Sequence, residues 1–257
     1  MTFQNNTTKV GCFHVSHTDV ESLIRYCEEN LEKKNKVWIF TLNLENAIKF
    51  YLMKLFKVIK AEPDMVVADG WPVLLLVNLF KKKEFKKIKK RCTGADFTQK
   101  VLEKNFNNRI YILGGKHLID LVKNKKNICF FEGKIQASHE NLSQIYKNQI
   151  SQHEPCLLLI ALSGHKAIRV GDFMKNTVNS SVSIGVGGSL DFLTGDQKRA
   201  PLFIQRINLE WFWRFLLNPP RMFFRYFVVS PLSFAWLLTS TLLSRLHDKY
   251  KTHLNHV

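Results

Sequence analysis

The chain has 257 residues, 46% of them apolar, enough to bury the core of one large domain or of one domain with an appendage. Thirty-eight Lys and Arg against 21 Asp and Glu leave a formal charge of +17, which calls for an anionic partner: nucleic acid, a membrane surface or a phosphorylated ligand. Five scattered cysteines with no Cys-x-x-Cys exclude a zinc knuckle and a dithiol redox motif and fit reduced thiols in a cytoplasmic protein.

The first residues, Met-Thr-Phe-Gln-Asn-Asn, have neither a basic nor an apolar stretch, so no signal peptide is expected. His14 and His17 are neighbours, but the sequence points to no further ligands, so no metal site is expected there. Thr18 and Glu21 form a Ser/Thr-x-x-Glu capping box that predicts a helix over 19–33. Val37–Thr41 is a short β-type run, and Leu44–Lys60 has apolar residues at helical spacing. Met65–Ala68, Arg109–Leu113, Ile128–Phe131, Cys156–Leu162 and Val182–Val186 read as further buried strands, with helices near 95–106, 139–152 and 165–177. Short apolar strands alternating with helices predict an α/β domain of Rossmann-like layers around a largely parallel sheet, over residues 1–200. Such sheets bind ligands beyond the carboxyl ends of their strands, where Thr41, Asp69, Gly114, Ser163 and Gly187 all fall.

Between Phe80 and Arg91 runs Lys-Lys-Lys-Glu-Phe-Lys-Lys-Ile-Lys-Lys. With one Phe and one Ile it falls short of the interleaved aromatics of a nucleic-acid tract and reads as a solvated, mobile loop, with attraction to anionic lipid as the functional alternative. Further on, Val182–Val186 feeds a Gly-rich turn, Gly185-Val186-Gly187-Gly188, with Asp191 and the pair Lys198-Arg199 behind it. Glycines after a strand let backbone N–H groups approach a ligand closely and cradle phosphate oxygens. No Gly-x-Gly-x-x-Gly follows the first strand, which argues against a dinucleotide-binding enzyme.

Residues 201–257 are expected to form a basic, aromatic-rich helical appendage for membrane and acceptor binding. Phe203, Ile204, Ile207, Trp211, Phe212 and Phe215 follow helical spacing, and Asn218-Pro219-Pro220 ends that helix and starts the next. Tyr226–Ser244 gives nineteen uncharged residues between Arg225 and Arg245, long enough to cross a bilayer. Pro231 and six Ser or Thr residues dilute its hydropathy and favour a helix pair lying in the bilayer interface.

Several segments then line up: Thr41-Leu42-Asn43, Ala68-Asp69-Gly70, Arg91-Cys92-Thr93-Gly94-Ala95-Asp96 and Leu113-Gly114-Gly115-Lys116. The Gly185–Pro201 block follows, and then Leu209-Glu210-Trp211 with Arg214, Arg221, Arg225 and Tyr226. In this order and spacing the chain resembles the WecG/TagA/CpsF glycosyltransferases, glycosyltransferase family 26, over residues 10–240. The resemblance implies a bacterial enzyme that moves N-acetylmannosamine or its uronic acid from a UDP-sugar to a polyprenyl-diphosphate-linked sugar, for cell-surface polysaccharide. It implies inversion at the anomeric centre without a metal or other cofactor, at the cytoplasmic face of the plasma membrane. The expected partners are those two substrates and an anionic membrane surface, with no nucleic acid; a homo-oligomer is left open.

Inverting transfer needs one base opposite the departing diphosphate, and Asp69, after an apolar strand and beside Gly70, is the candidate. Thr41 and Asn43 are expected to hold the sugar or orient Asp69, or else simply to cap strand ends. Arg91 and the N–H groups of Gly185, Gly187 and Gly188 are expected to stabilise the leaving diphosphate. Asp191 is expected either to accept from a ribose or sugar hydroxyl or to orient its loop. The resemblance assigns Arg214, Arg221 and Arg225 to the acceptor diphosphate, which suits the planar guanidinium fork. One segment departs from the family pattern. Where relatives carry Gly-x-Pro-Lys-Gln-Glu, this chain has Ser163-Gly164-His165-Lys166-Ala167-Ile168, so a noncatalytic relative is the alternative reading.

Overall fold

The computed structural model describes residues 6–104, 106, 108–114, 127–131, 135–192 and 198–254. Its centre is an eight-stranded sheet among the described residues, ordered β1-β2-β4-β3-β8-β7-β5-β6. The strands are β1 (Thr7–Val10), β2 (Phe13–Ser16), β3 (Val37–Leu42), β4 (Met65–Ala68), β5 (Arg109–Leu113), β6 (Ile128–Phe130), β7 (Cys156–Ile160) and β8 (Ser181–Gly185). The β1–β2 pair is antiparallel and every other pair is parallel, as the unbroken apolar runs predicted. All six residues of β3 and all five of β7 are buried, because helices cover both faces of the sheet.

Alternation along the strands sorts side chains between two layers. Val37 and Ile39 face the core shared with helices α1 (Val20–Glu32) and α4 (Gly94–Glu103). Trp38, Phe40 and Leu42 face α2 (Leu44–Leu55) and α3 (Trp71–Phe80) on the opposite side. Toward the far edge, Tyr111, Leu158 and Ile160 pack with α5 (His139–Ile145) and α6 (His165–Thr177). Burial pushes the Cys27 and Cys92 thiols up, and all five cysteines are free.

Some local expectations need correction. The cap of α1 is Asp19, whose carboxylate accepts from Ser22 N at 2.8 Å; Thr18 donates to Asp19 O instead, and Glu21 pairs with Lys100. An acid one residue closer to the helix wins the cap. The helix expected over 44–60 stops at Leu55, with Lys57 at φ 55°. The 139–152 stretch is α-helical to Ile145 and continues through a wide π-type turn, Tyr146–Ile150, and a short 3-10 turn, Ser151–His153. The β1–β2 hairpin and α3 had no counterpart in the sequence reading. The lysine run is solvated as expected and is also anchored: Asn78 bonds both the N–H and the carbonyl of Ile88.

The C-terminal segment contains α7 (Leu202–Arg206), α8 (Glu210–Leu217), α9 (Pro219–Phe224) and α10 (Ser230–Leu254), with a π-type turn, Arg225–Val229, between the last two. Asn218 ends α8, and the proline pair opens α9 where missing N–H groups cost nothing. The wide turn precedes Pro231, whose ring cannot donate to Phe227 O and crowds it. The span Met222–Asp248 is long and apolar enough to cross a membrane by length and composition. One stripe of α10 nevertheless packs on the α/β domain: Ser233, Leu237 and Thr241 are buried, and Thr241 Oγ1 accepts from Gly11 N at 2.7 Å. Gly11, at φ 60°, turns the hairpin where a Cβ would lie 3.0 Å from Leu237 Cδ2.

Gly171 of α6 supplies a test of this packing. A Cβ there would overlap the buried Trp38 indole. Gly→Ala inside a helix ordinarily stabilises by up to about 1 kcal/mol, whereas overpacking costs about 1–3 kcal/mol. Overpacking should win, so Gly171→Ala is expected to lower stability in a urea titration. A variant as stable as the parent would show that Trp38 has room to move.

Candidate active site

The carboxyl ends of β3, β4 and β8 open into one cavity of about 680 Å³, and the segment after β7 adds Leu162, Ser163 and Gly164 to its wall. Its roof comes from the C-terminal segment, including Glu210, Trp211, Arg214, Arg225, Tyr226 and Phe234.

Asp69 stands just past β4, where its backbone N–H donates to Leu42 O, at the end of β3, at 3.0 Å. Its carboxylate is held from both sides. Oδ2 accepts from Asn43 Nδ2 at 3.4 Å, and Oδ1 accepts from Gly94 N, at the start of α4, at 3.2 Å. Asn43 also caps α2, its Oδ1 accepting from Asn46 N at 3.0 Å, so capping and orienting Asp69 are the work of one side chain. Thr41 donates its hydroxyl proton to Gly185 O at 2.8 Å, joining β3 to the end of β8 and leaving its oxygen free to accept.

The Gly-rich turn is shaped by close approaches. Gly187 has φ 56°, and a Cβ there would meet nothing within 4 Å, so the turn is open on that side. At Gly94 a Cβ would come within 3.0 Å of Val186 Cα and O, so the N-terminus of α4 sits directly against the turn. A helix N-terminus beside glycine N–H groups favours anions. Asp191 lies beyond Gly188, its Oδ2 3.1 Å from where a Gly188 Cβ would be, a position that suits orienting the loop.

Four cations meet two acids in and around the roof. Arg91 Nη2 donates to Glu210 Oε2 at 3.2 Å, and Arg214 Nη2 donates to Glu210 Oε1 at 3.3 Å. Glu210 is 7% exposed, so a buried carboxylate clamps the α/β domain to α8. The Arg214 guanidinium also lies 4.8 Å from the Phe192 ring centroid. Its Nε is buried without a hydrogen-bond partner. On the other side, Arg225 Nε meets Glu45 Oε2 at 2.7 Å, and Lys49 bonds the same carboxylate. Burial raises the Glu45 carboxyl, but Arg225 and Lys49 outweigh it and hold the group below the ordinary carboxylate range.

The cavity thus brings together Asp69, Thr41, Asn43 and Arg91 with Gly185, Gly187 and Gly188 of the turn, and with Arg214 and Arg225 of the roof. Asp191 is outside its lining, and the side chain of Arg221 lies outside the described residues, as do Gly115 and Lys116. The departing segment reaches the cavity at both changed positions: Ala167 and Ile168 line its wall, and Ile168 is also part of the buried core beneath it. Beside them Lys49 Nζ would stand 2.6 Å from a Cβ on Gly164. Sequence reasoning gave Glu210 and Glu45 no role. Glu210 had one signal, being the single acid between Asp196 and Asp248 in a basic segment.

Known proteins resemble the chain over most of its length. The model of the glycosyl transferase WecG/TagA/CpsF family matches residues 8–248. A relative from Bacillus subtilis (strain 168), named N-acetylglucosaminyldiphosphoundecaprenol N-acetyl-beta-D-mannosaminyltransferase, is 27% identical, covering 80% of this chain and 81% of its own length. Proteins of the same name from Bacillus spizizenii (strain ATCC 23059 / NRRL B-14472 / W23) and Staphylococcus aureus (strain NCTC 8325 / PS 47) are 24% and 23% identical. They cover 79% and 85% of this chain, and 80% and 89% of their own lengths. With the match running from β1 into α10 and the cavity residues inside it, the chain belongs to the WecG/TagA/CpsF glycosyl transferase family.

Proposed function

We propose that this protein transfers an N-acetylmannosamine-type sugar, with inversion, from a UDP donor to a sugar carried on a polyprenyl diphosphate. The names of its relatives support the transferred sugar and the lipid-linked acceptor. The observation that carries the chemistry is Asp69, its carboxylate gripped by Asn43 and Gly94 on the wall of a cavity that also holds the Gly-rich turn and Arg91.

In this reading Asp69 takes the proton of the acceptor hydroxyl as that oxygen attacks the anomeric carbon. The bond to the donor diphosphate breaks on the opposite face, so a single displacement inverts the centre. Charge growing on the diphosphate is met by N–H groups of the turn, by the N-terminus of α4 and by Arg91. These groups supply the positive potential that a divalent cation supplies elsewhere, so no metal is required. Arg214, Arg221 and Arg225 are assigned to the acceptor diphosphate. The loss of polar groups at Ala167 and Ile168 favours the second reading, a noncatalytic relative; the intact Asp69 arrangement favours the first.

Lipid-linked substrate calls for a membrane surface. The outward face of α10 carries exposed Leu232, Leu242, Leu243 and Leu246, while its Ser233–Thr241 stripe faces the protein. A helix with leucines outward and hydroxyls inward is suited to lying in the bilayer interface while still docked to its domain. The proposed site of action is peripheral, on the cytoplasmic face of the plasma membrane.

Three outcomes are expected. Asp69→Asn keeps the shape and one of the two contacts, that with Asn43 or that with Gly94 N, but loses the base, so kcat for transfer from UDP-N-acetylmannosamine to a short-chain lipid-diphosphate acceptor should fall by about 10² to 10⁴. Near-parental kcat in the folded variant would remove Asp69 from that role. Chelation with EDTA should leave the parental rate unchanged, and restoration of a lost rate by a divalent metal would refute the metal-free reading. Glu210→Gln strands two like charges. The expected cost is about 1–3 kcal/mol, less than the 3–5 kcal/mol of a fully buried pair because the Arg214 side chain is 36% exposed. Proteolysis between α7 and α8 should accelerate and transfer should weaken; an unchanged digestion rate would show that Glu210 does not hold the roof.

A further inference from the structure

Helix α3 has its apolar residues in the wrong place for a water-facing helix. Val73, Leu76, Val77 and Phe80 fill the core, yet Trp71, Leu75 and Leu79 are 38%, 47% and 65% exposed. These three recur at i, i+4 and i+8 and form one outer stripe, and the helix carries no charge. The stripe begins at the cavity wall, where Trp71 is part of the lining.

Its other end runs into the lysine loop. Seven lysines and Arg91 face a single acid, Glu84, over residues 81–91. The loop is folded back onto α3: Asn78 Nδ2 donates to Ile88 O at 3.0 Å, and Ile88 N donates to Asn78 Oδ1 at 2.8 Å. Phe85 packs against His17 with ring centroids 5.1 Å apart, and His17 Nδ1 lies 3.3 Å from Lys86 O. Phe85 and Ile88 are thereby partly covered, while Lys82, Lys83, Lys86, Lys87, Lys89 and Lys90 are exposed. At the same end of α3, Arg245 of α10 donates to Phe80 O and lies over its ring at 4.8 Å. The end of the C-terminal helix, the end of α3 and the lysine face are therefore joined.

We propose that the outer stripe of α3 and the exposed lysines of residues 82–90 form a docking surface for anionic bilayer lipid. It is separate from the aromatic segment 203–243 and seats the Trp71 side of the cavity against the membrane. An apolar stripe enters the acyl boundary while lysines reach headgroup phosphates on flexible stems. Charge complementarity selects this partner. The one aromatic among these lysines, Phe85, is packed against His17, so the run suits a diffuse anionic surface better than stacked bases. The proposal rests on the membrane reading above, to which it adds the surface and the headgroup charge.

The test uses the purified full chain in sedimentation with vesicles of phosphatidylglycerol and phosphatidylcholine, or of phosphatidylcholine alone. Lysine beside an anionic surface strengthens partitioning by about fivefold each where it reaches the headgroups. The variant Lys82→Gln/Lys83→Gln/Lys86→Gln/Lys87→Gln is therefore expected to lose at least about tenfold in partitioning to the anionic vesicles, with little change on neutral ones. Leu75→Ser/Leu79→Ser should weaken binding to both kinds. Both variants alter exposed side chains, and thermal unfolding checks that they fold. Transfer to a short-chain acceptor in solution should match the parent, while transfer to an acceptor embedded in anionic vesicles should fall. Undiminished partitioning of the lysine variant to anionic vesicles overturns the proposal, as does tighter binding of the parent to duplex DNA than to those vesicles at the same salt. Absence of transfer by the parent in both acceptor formats would count against the enzymatic reading alone, because partitioning is scored without it.

Discussion

The carboxylate of Glu210, set between the guanidinium groups of Arg91 and Arg214, is the contact on which the closed form of the cavity depends. An open parallel sheet exposes its strand ends to water, and here a separate run of short helices must roof them. Burying a carboxylate is costly, and two arginines, one from the domain and one from the roof, offset that cost and leave the three-residue cluster with one net positive charge. The second clamp, Glu45 with Arg225 and Lys49, works in the same way from α2. Each guanidinium has five N–H donors, so a contact of this kind engages part of the fork and leaves donors for an oxygen-rich ligand. The roof is thus fastened while some of its donors stay unused, among them the buried Nε of Arg214, which has no hydrogen-bond partner.

Beneath the roof, position follows from topology. Parallel strands point their carboxyl ends the same way, so β3, β4 and β8 deliver Thr41, Asp69 and the Gly-rich turn to one edge. Two backbone approaches then tighten the edge: Gly94 against Val186, and the Asp69 N–H on Leu42 O. Replacing either by a bulkier or misdirected group separates the carboxylate from the turn. The chemistry proposed for the cavity needs those two features within the span of one sugar and its phosphate.

Much of this was legible because the signals are local. Unbroken apolar runs such as Val37–Leu42 and Cys156–Ile160 mark strands covered on both faces, and the polar residues that follow them mark the ligand edge. Helix α3 escaped because Trp71–Phe80 is apolar almost all round, which erases the helical period. The β1–β2 hairpin escaped because each strand has only four residues, too few to establish an alternation, and the pair forms one end of the sheet. Asp19 took the cap from Thr18 because neighbouring capping residues compete and geometry selects between them. The role of Glu210 was out of reach for a different reason: its partner Arg91 is 119 residues away, and no local pattern encodes such a pairing. The C-terminal stretch was ambiguous from hydropathy alone, and the difference lies in which stripe packs inward, Ser233, Leu237 and Thr241 rather than leucines throughout.

A single displacement assisted by Asp69 is tested most directly by the stereochemistry of the product. UDP-α-N-acetylmannosamine is incubated with the protein and a short-chain polyprenyl-diphosphate N-acetylglucosamine, and the anomeric configuration of the new linkage is read by NMR before it can be hydrolysed. The proposed geometry requires the β-linked product. An α-linked product would demand a second displacement, for which this cavity has been assigned no nucleophile, and would contradict the account.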